Sequence, residues 1–141
     1  RVVDAFDADV LIYAATPGHQ LGSRVKALLD ERATAGEVPA GTGSVLLLPE
    51  VLSKYVRGVD AEDEAAMLRM LDKLDLRPVD VPTAQLATVF RAEHRLKTVD
   101  AVHLATAVRA GADRFITNNS SDFTKAIAEV AITYPDELPE P

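Results

Sequence analysis

Cysteine and tryptophan are absent from this chain, and only 5% of its 141 residues are aromatic. Without cysteine there is no disulfide framework, no zinc–thiolate site and no thiol chemistry, which fits a cytoplasmic protein. With few aromatic rings the core must be aliphatic, and the 48% hydrophobic content can supply it. The length suits one domain and is too short for two. The chain opens at Arg1 rather than Met, so we expect native residues upstream.

Long hydrophobic runs and phosphate-binding motifs are also missing. The longest apolar stretches, VLIYAA and VLLLP, fall far short of the roughly 20 residues of a membrane span. Neither a P-loop nor a G-x-G-x-x-G motif occurs, and no Ser or Thr stands in a nucleophile elbow. We therefore expect no contact with a membrane and no nucleotide-binding loop.

Basic residues are outnumbered, with 15 Lys and Arg against 22 Asp and Glu and a net charge of −7. A general nucleic-acid binder is expected to carry a basic footprint, so the charge is a mild argument against a polynucleotide substrate. Four dispersed basic residues are candidates for phosphate contacts, although solvated helix faces explain them equally well: Arg57, Arg91, Arg95 and Lys97.

Strand-like and helical patterns alternate along the chain, which predicts a three-layer α/β/α domain with a mostly parallel sheet over residues 1–134. We predict strands at 2–6, 44–49, 76–81, 114–117 and 130–134, and helices at 10–15, 21–34, 49–57, 60–74, 83–96, 98–109 and 120–129. Residues 36–44 are predicted as a loop. The segment 135–141 is acidic and proline-rich, and we expect it to be a frayed tail.

Acids or amides stand where predicted strands end or helices begin in four separate segments. In an open α/β sheet, groups at the carboxyl ends of parallel strands meet at one edge. Two carboxylates about 4 Å apart repel by roughly 4 kcal/mol at an effective dielectric near 20, so a divalent cation is the usual way to hold such a cluster together. The residues are Asp7, Glu50, Asp100, and the group Asn118, Asn119 and Asp122.

Each of these residues also has a purely structural explanation. Acids such as Glu50 and Asp100 in first turns favour the helix dipole or cap the helix without any ligand. Asp7 is harder to explain in this way because an unpaired carboxylate inside an apolar stretch is costly, although an Asx-turn would account for it. Asp9 and Asp122 are predicted to cap helices. The conjunction of four segments is what favours a metal site.

The ligand types favour Mg²⁺ or Mn²⁺ over zinc. Oxygen donors suit hard cations, and no pair of histidines has metal-ligand spacing. His103, three residues after Asp100, can support that acid by a hydrogen bond or can simply be a satisfied half-buried histidine. Thr117 can orient a water or can be an ordinary β-branched strand residue.

With these residues in place, the chain resembles a PIN-domain protein of the VapC toxin type. The segment DADVLIYA is similar to the first motif of the family, LPEVLSKYVRG to the second, and RLKTVDAVHLATAVRAGADRFITNN to the third and fourth. The resemblance runs from Val3 to about Tyr134, and the element DAVHLATA is its most specific part.

The resemblance implies a five-stranded parallel sheet and a Mg²⁺- or Mn²⁺-dependent ribonuclease acting on RNA. It also implies a homodimer that is held inactive by a cognate antitoxin. Asp7, Glu50 and Asp100 would be metal ligands. The family often has Asp where this chain has Asn119, so Asn119 or the later Asp122 would fill the fourth position, with Thr117 beside it. Asp9 replaces an uncharged residue and would add a carboxylate.

Two other readings remain open from the residues, and a third is rejected. The missing fourth charge and the acidic balance allow a catalytically inactive PIN fold that serves as a binding module. The D-x-D at Asp7 and Asp9 allows a haloacid-dehalogenase-like phosphatase, although Leu11 and the absence of its later motifs oppose it. A receiver domain fails because no Asp follows a central strand directly. We also expect a homodimer because four apolar residues exceed the needs of one small core: Leu46, Leu48, Val51 and Val56.

Overall fold

The central strand β1, Asp4–Phe6, is buried along its whole length and is followed at once by a helix that Asp7 caps. An Asp therefore does follow a central strand directly, contrary to the reason given for rejecting a receiver domain. The structure is a computed structural model and describes residues 1–58 and 60–141. The other strands are β2 Gly41–Ser44, β3 Leu74–Arg77, β4 Arg114–Ile116 and β5 Ala131–Thr133. The helices are α1 Ala8–Ala15, α2 Gln20–Thr34, α3 Leu47–Val56, α4 Ala61–Leu71, α5 Val81–His94 and α6 Thr98–Arg109, followed by a short 3₁₀ turn at Pro135–Glu137.

The strands form one five-stranded sheet in the order β3-β2-β1-β4-β5, and every neighbouring pair is parallel. The predicted α/β class and five-stranded parallel sheet are confirmed. In the register between β1 and β4, Phe6 lies opposite Ile116. The residues that follow these two strands, Asp7 and Thr117, therefore start side by side at the same sheet edge.

Helices cover both faces of the sheet and create two separate cores. Helices α1 to α4 pack on one face around Phe6, Leu11 and Leu47. Helices α5 and α6 pack on the other face around Phe115 and Phe123. This is the predicted three-layer arrangement, and its edge is where both helical layers can reach the end of β1.

The second strand is not where the apolar pattern placed it. The segment 44–49 was predicted as a strand, but β2 is the glycine-rich stretch 41–44 inside the predicted loop, and α3 already begins at Leu47. The neighbours explain the difference: a Cβ on Gly41 would lie 2.5 Å from Cε2 of Phe6, and one on Gly43 would lie 2.5 Å from Cδ1 of Leu47. Close packing selects glycine here and overrides its poor strand propensity.

The segment 120–129, predicted as a helix, consists of turns. Its buried residues Phe123 and Ile127 have helical spacing although no helix forms. Side-chain hydrogen bonds around Asn119 stabilise turns there instead, since Ser121 Oγ donates to Asn119 Oδ1 at 3.0 Å.

Two helix starts also differ from the prediction. Helix α1 is capped by Asp7, whose Oδ1 accepts from the amide of Ala8 at 2.8 Å, and Asp9 lies inside the first turn. Strand β3 ends at Arg77, before Pro78. Helix α5 then begins at Val81, capped by Asp80, which accepts from Thr83 N at 3.0 Å, and not by Thr83 itself.

The carboxyl-terminal segment is packed onto the domain and is not frayed. Leu138 is only 2% exposed and belongs to the core beneath α1 and α2. The Arg24 guanidinium donates to the Leu138 carbonyl at 2.8 Å, which fixes the segment to α2.

The apolar residues cited for a homodimer are largely used within the chain. Val51 is buried, and Leu46 and Leu48 pack partly against the two cores. Val56 is the exception, with 87% of its surface exposed. Within the described residues, no helix is both long and apolar enough to cross a membrane.

A buried ion cluster holds the amino-terminal end of β1. Asp4 is fully buried, and its Oδ1 and Oδ2 accept from Arg114 Nε at 2.7 Å and Nη2 at 2.9 Å. Arg32 of α2 reaches the same carboxylate with Nη1 at 2.5 Å. The cluster therefore joins β1, β4 and α2 at the edge opposite Asp7.

We predict that Asp4→Asn lowers the free energy of unfolding by about 3 kcal/mol, because two guanidinium groups lose their buried counter-charge. Urea denaturation followed by circular dichroism measures the change. The control is Asp72→Asn, which removes an exposed acid and should change stability by less than about 0.5 kcal/mol. Equal stability of the two variants would contradict the structural role of the cluster.

Candidate active site

Asp7 is the most constrained residue at the carboxyl edge of the sheet. It is 6% exposed, and its amide donates to the Ile116 carbonyl at 2.9 Å. Its Oδ2 accepts from the Thr117 hydroxyl at 2.8 Å, while Oδ1 caps α1. The carboxylate is thus held by one hydroxyl and one amide, and the described residues provide it with no Lys or Arg within ion-pair distance.

The loop after β4 is attached to the turn between β1 and α1. The buried Thr117 Oγ1 accepts from the Asn119 amide at 3.1 Å. The Asn118 amide donates to Asp9 Oδ2 at 3.0 Å, and the Asn118 side chain donates to the Tyr13 hydroxyl at 3.3 Å. Asp9 therefore connects the first and fourth segments instead of capping the helix.

Asn119 and Asp122 have different surroundings although both lie in this loop. The Asn119 carboxamide donates to Asp122 Oδ2 at 3.0 Å and accepts through Oδ1 from the Asp122 amide at 3.4 Å. The side-chain carbonyl of Asn119 is therefore turned into its own loop. Asp122 is half-buried, and its charge acts on Asp100 of α6.

Glu50 and Asp100 approach the edge from the two helical layers. Asp100 lies in the first turn of α6, as predicted, and Glu50 lies in the first turn of α3. His103, one turn after Asp100, does not support that acid by a hydrogen bond as hypothesised: its Nε2 contacts Glu50 Oε1. Lys54 lies over the Tyr55 ring at 5.0 Å and forms no ion pair with Glu50 in the described structure.

The acids at this edge disturb one another electrostatically. Burial raises the pKa of Asp7, His103 and the hydrogen bonds from Thr117 and Ala8 oppose that rise, and the charge of Glu50 adds a smaller increase. Burial and the neighbouring Asp7 raise the pKa of Asp9 to about 7. Burial, Asp7 and Asp122 raise the pKa of Asp100. These carboxyls therefore share one local field, which favours either protonation or a bound cation.

The chemistry of the donor set fits a hard cation. All candidate donors here are oxygen atoms, the type that Mg²⁺ and Mn²⁺ prefer. Asp7, Glu50 and Asp100 do not each place one oxygen within 4.8 Å of the others; in the part of the chain that the structure describes, the one group of three such ligand atoms belongs to Glu93, His94 and Glu129. That group contains a hydrogen-bonded pair, since His94 Nε2 lies 3.0 Å from each Glu129 oxygen.

The basic residues proposed for phosphate contacts have mixed positions. Arg91 is engaged in local structure, because Nε donates to the Leu96 carbonyl at 3.2 Å and Nη1 to the Thr98 hydroxyl at 2.8 Å. Arg57, Arg95 and Lys97 have exposed side chains. None of the four is shown to contact a ligand.

Sequence reasoning missed the contact between His103 and Glu50 and the bridging role of Asp9. The first joins residues that are 53 positions apart, so no local spacing could reveal it. The second had a weak signal: an acid two residues after another acid, in a segment too short and apolar to tolerate both without partners.

Comparison with known proteins assigns the family. A profile of the PIN domain matches residues 5–129. The chain belongs to the PIN domain family. All four acidic segments lie within the matched PIN domain, and the recognition made from the sequence motifs is confirmed at this level. No match is found among curated proteins.

Two solved structures share the PIN fold of this chain. A toxin–antitoxin complex from Klebsiella pneumoniae has 22% sequence identity and a TM-score of 0.66, over 94% of this chain and 97% of that chain. VapBC2 from Rickettsia felis, bound to a DNA fragment from its promoter, has 15% identity and a TM-score of 0.70, over 94% and 98% of the respective chains. At these identities the likeness establishes the fold alone.

The raised pKa of Asp9 predicts how stability depends on pH in EDTA. Its folded-state pKa of about 7 exceeds its usual value of 3.8, so protonated Asp9 contributes to the stability of the fold at low pH. This contribution is lost as the pH rises through about 7. We expect Asp9→Asn to reduce the fall in unfolding free energy between pH 5.5 and 8 by about 1–2 kcal/mol. Urea denaturation across this range measures it.

The control for this experiment is Asp72→Asn, which changes an exposed acid far along the chain. Its pH profile should run parallel to that of the wild type. A profile for Asp9→Asn that is also parallel to the wild type would contradict the assignment of Asp9 to the shared acidic field.

Proposed function

We propose that this PIN-domain protein is a metal-dependent endoribonuclease that hydrolyses RNA phosphodiester bonds and serves as the toxin of a toxin–antitoxin pair. The observation that carries the proposal is the convergence of Asp7, Asp100 and Glu50 at the carboxyl edge of the sheet, where the charges of Asp7 and Glu50 raise the pKa of Asp100 and the charge of Glu50 raises that of Asp7. A fold family alone does not define an activity, so the proposed activity rests on these side chains.

In this proposal Asp7, Glu50, Asp100 and Asp122 hold the Mg²⁺ or Mn²⁺, directly or through water. When bound, the cation supplies Lewis acidity that favours ionisation of water and offsets negative charge developing on the phosphate. Among the described residues no Lys or Arg pairs with Asp7, so its carboxylate is available to a cation. Carboxylate oxygens together with water are the ligands that Mg²⁺ prefers.

Thr117 acts on the site by holding Asp7. Its hydroxyl donates to one carboxylate oxygen and accepts from the Asn119 amide, so it has no freedom to turn away. We infer that Thr117 fixes the Asp7 carboxylate with respect to the loop that carries the fourth acid.

The fourth position is assigned to Asp122 in preference to Asn119. Asp122 is the residue whose charge reaches Asp100, while the carbonyl of Asn119 is occupied by Ser121 and by the Asp122 amide. Asn119 then orients Asp122 through its carboxamide. The missing charge at position 119 is in this way replaced three residues later.

The partner proposals come from the similar structures and from the sequence resemblance. Complexes of toxin and antitoxin share the fold over almost the whole chain, which supports a cognate antitoxin as partner. A homodimer is part of the same proposal. Of the four apolar residues cited for a homodimer, only the exposed Val56 still supports it.

We predict that wild-type protein cleaves RNA when Mn²⁺ or Mg²⁺ is present and stops when EDTA is added. Asp7→Asn should reduce the cleavage rate by about a hundredfold or more, because the buried, hydrogen-bonded carboxylate among the proposed metal ligands is lost. Gel analysis of labelled RNA, with DNA of the same sequence in parallel, measures the rate and the substrate class.

The matched control is Asp72→Asn, which should cleave like the wild type. Equal cleavage by wild type and Asp7→Asn would show that the site is wrongly assigned or that a contaminant is active. If the wild type binds no Mn²⁺ in the millimolar range by calorimetry and does not cleave RNA, the inactive PIN binding module replaces the nuclease proposal.

The assignment of the fourth acid predicts a difference between neighbouring variants. Asp122→Asn should weaken Mn²⁺ binding about a hundredfold, whereas Asn119→Ala should weaken it about tenfold, since Asn119 acts through Asp122. Isothermal titration calorimetry on both variants measures the difference. A larger loss for Asn119→Ala than for Asp122→Asn would reverse the assignment.

A further inference from the structure

We propose that His103 is a positioning residue for Glu50, holding one carboxylate oxygen so that the other faces the acidic cluster of Asp7 and Asp100. The inference rests on the proposed function, because it concerns how a predicted metal ligand is oriented. His103 itself is not assigned a place among the ligands. The proposal is carried by the contact between the two side chains, by the burial of the imidazole, and by its unused second nitrogen.

The contact joins the two helical layers at the site. His103 lies on α6, in the layer that packs against Phe115, and is only 2% exposed. Glu50 lies on α3, in the opposite layer, with a side chain that is 36% exposed. Nε2 of His103 reaches Oε1 of Glu50, so a fixed, buried group restrains a carboxylate that would otherwise be free to rotate into solvent.

The hydrogen-bonding capacity of the imidazole is directed at Glu50 alone. Among the buried side-chain nitrogen and oxygen atoms of residues 1–58 and 60–141, Nδ1 of His103 is the one without a hydrogen-bond partner. Nε2 must carry a proton in order to donate to a carboxylate, and in the neutral imidazole this leaves Nδ1 as an unprotonated acceptor. This tautomer is the less costly one, because an Nδ1–H would be a buried donor without an acceptor.

Packing alone does not account for a histidine at this position. The neighbours on α6, from Ala101 to Ala107, are buried and mostly apolar. An aliphatic residue would fill the same space without burying a polar ring. The hydrogen bond between Nε2 and Glu50 therefore explains the polar ring, and Glu50 belongs to the acidic cluster.

The expected consequence is a loss of metal affinity without a matching loss of stability. Groups that hydrogen-bond metal ligands typically contribute 10- to 100-fold to affinity. His103→Met removes the donor while keeping an apolar side chain of similar reach. His103→Gln keeps an N–H donor at about the distance of Nε2.

The test is isothermal titration of MnCl₂ into full-length wild type, His103→Met and His103→Gln, with melting temperatures recorded in EDTA. We expect His103→Met to bind Mn²⁺ at least about tenfold more weakly and His103→Gln to stay within about threefold of wild type. In a Glu50→Gln background, adding His103→Met should cause no further loss, because the effect passes through Glu50.

A second measurement uses the wild type without metal. Nitrogen-15 NMR of labelled histidine should report the Nε2–H tautomer for His103, with a hydrogen-bonded proton that shifts in Glu50→Gln. The Nδ1–H tautomer would overturn the inference even if His103→Met proves too unstable to study.

The two proposals fail in distinguishable ways. If wild type binds Mn²⁺ and His103→Met binds it equally, only the positioning role is wrong. A further loss on adding His103→Met to Glu50→Gln has the same meaning, because His103 would then act by another route. If wild type neither binds Mn²⁺ nor cleaves RNA, the proposed function and this inference are overturned together.

Discussion

The burial of the Asp7 carboxylate at the end of β1 is the constraint on which the site depends. The backbone places it there, because β1 and β4 are in register and Asp7 follows the last paired residue. Desolvation makes a charge at this point costly. A hydroxyl, an amide and the nearby His103 reduce that cost without removing the charge, and the charge of Glu50 increases it. A bound cation would offset this unfavourable free energy of burying the charge.

The two ends of β1 show how differently the same residue type can be treated. Asp4 and Asp7 are three residues apart and both are buried. Asp4 is neutralised by Arg32 and Arg114, which makes it part of the framework. Asp7 has no such partner among the described residues and instead shares a field with Asp9 and other acids. Electrostatic compensation at one end and its absence at the other separate the structural role from the proposed chemical one.

The site needs both helical layers, and α6 connects them. Asp100 and His103 stand one turn apart on this helix, and His103 extends across to Glu50 on α3. The loop after β4 closes the remaining side through Thr117 and Asp122. Because each layer has its own core, the relative position of α3 and α6 is set by rigid packing and not by the acids themselves. Repelling charges can be held together only by such a framework.

The sequence by itself determined the alternation of strands and helices, the parallel sheet and the candidate acids, since these follow from local periodicity and from residues at element ends. Tertiary structure decided what depends on contacts between distant segments. Phe6 and Leu47 make glycine suitable for β2, and packing turns a helical pattern around Phe123 into a series of turns. The pairing of His103 with Glu50 likewise exists only once two helices meet, because no spacing along the chain encodes a distance between layers.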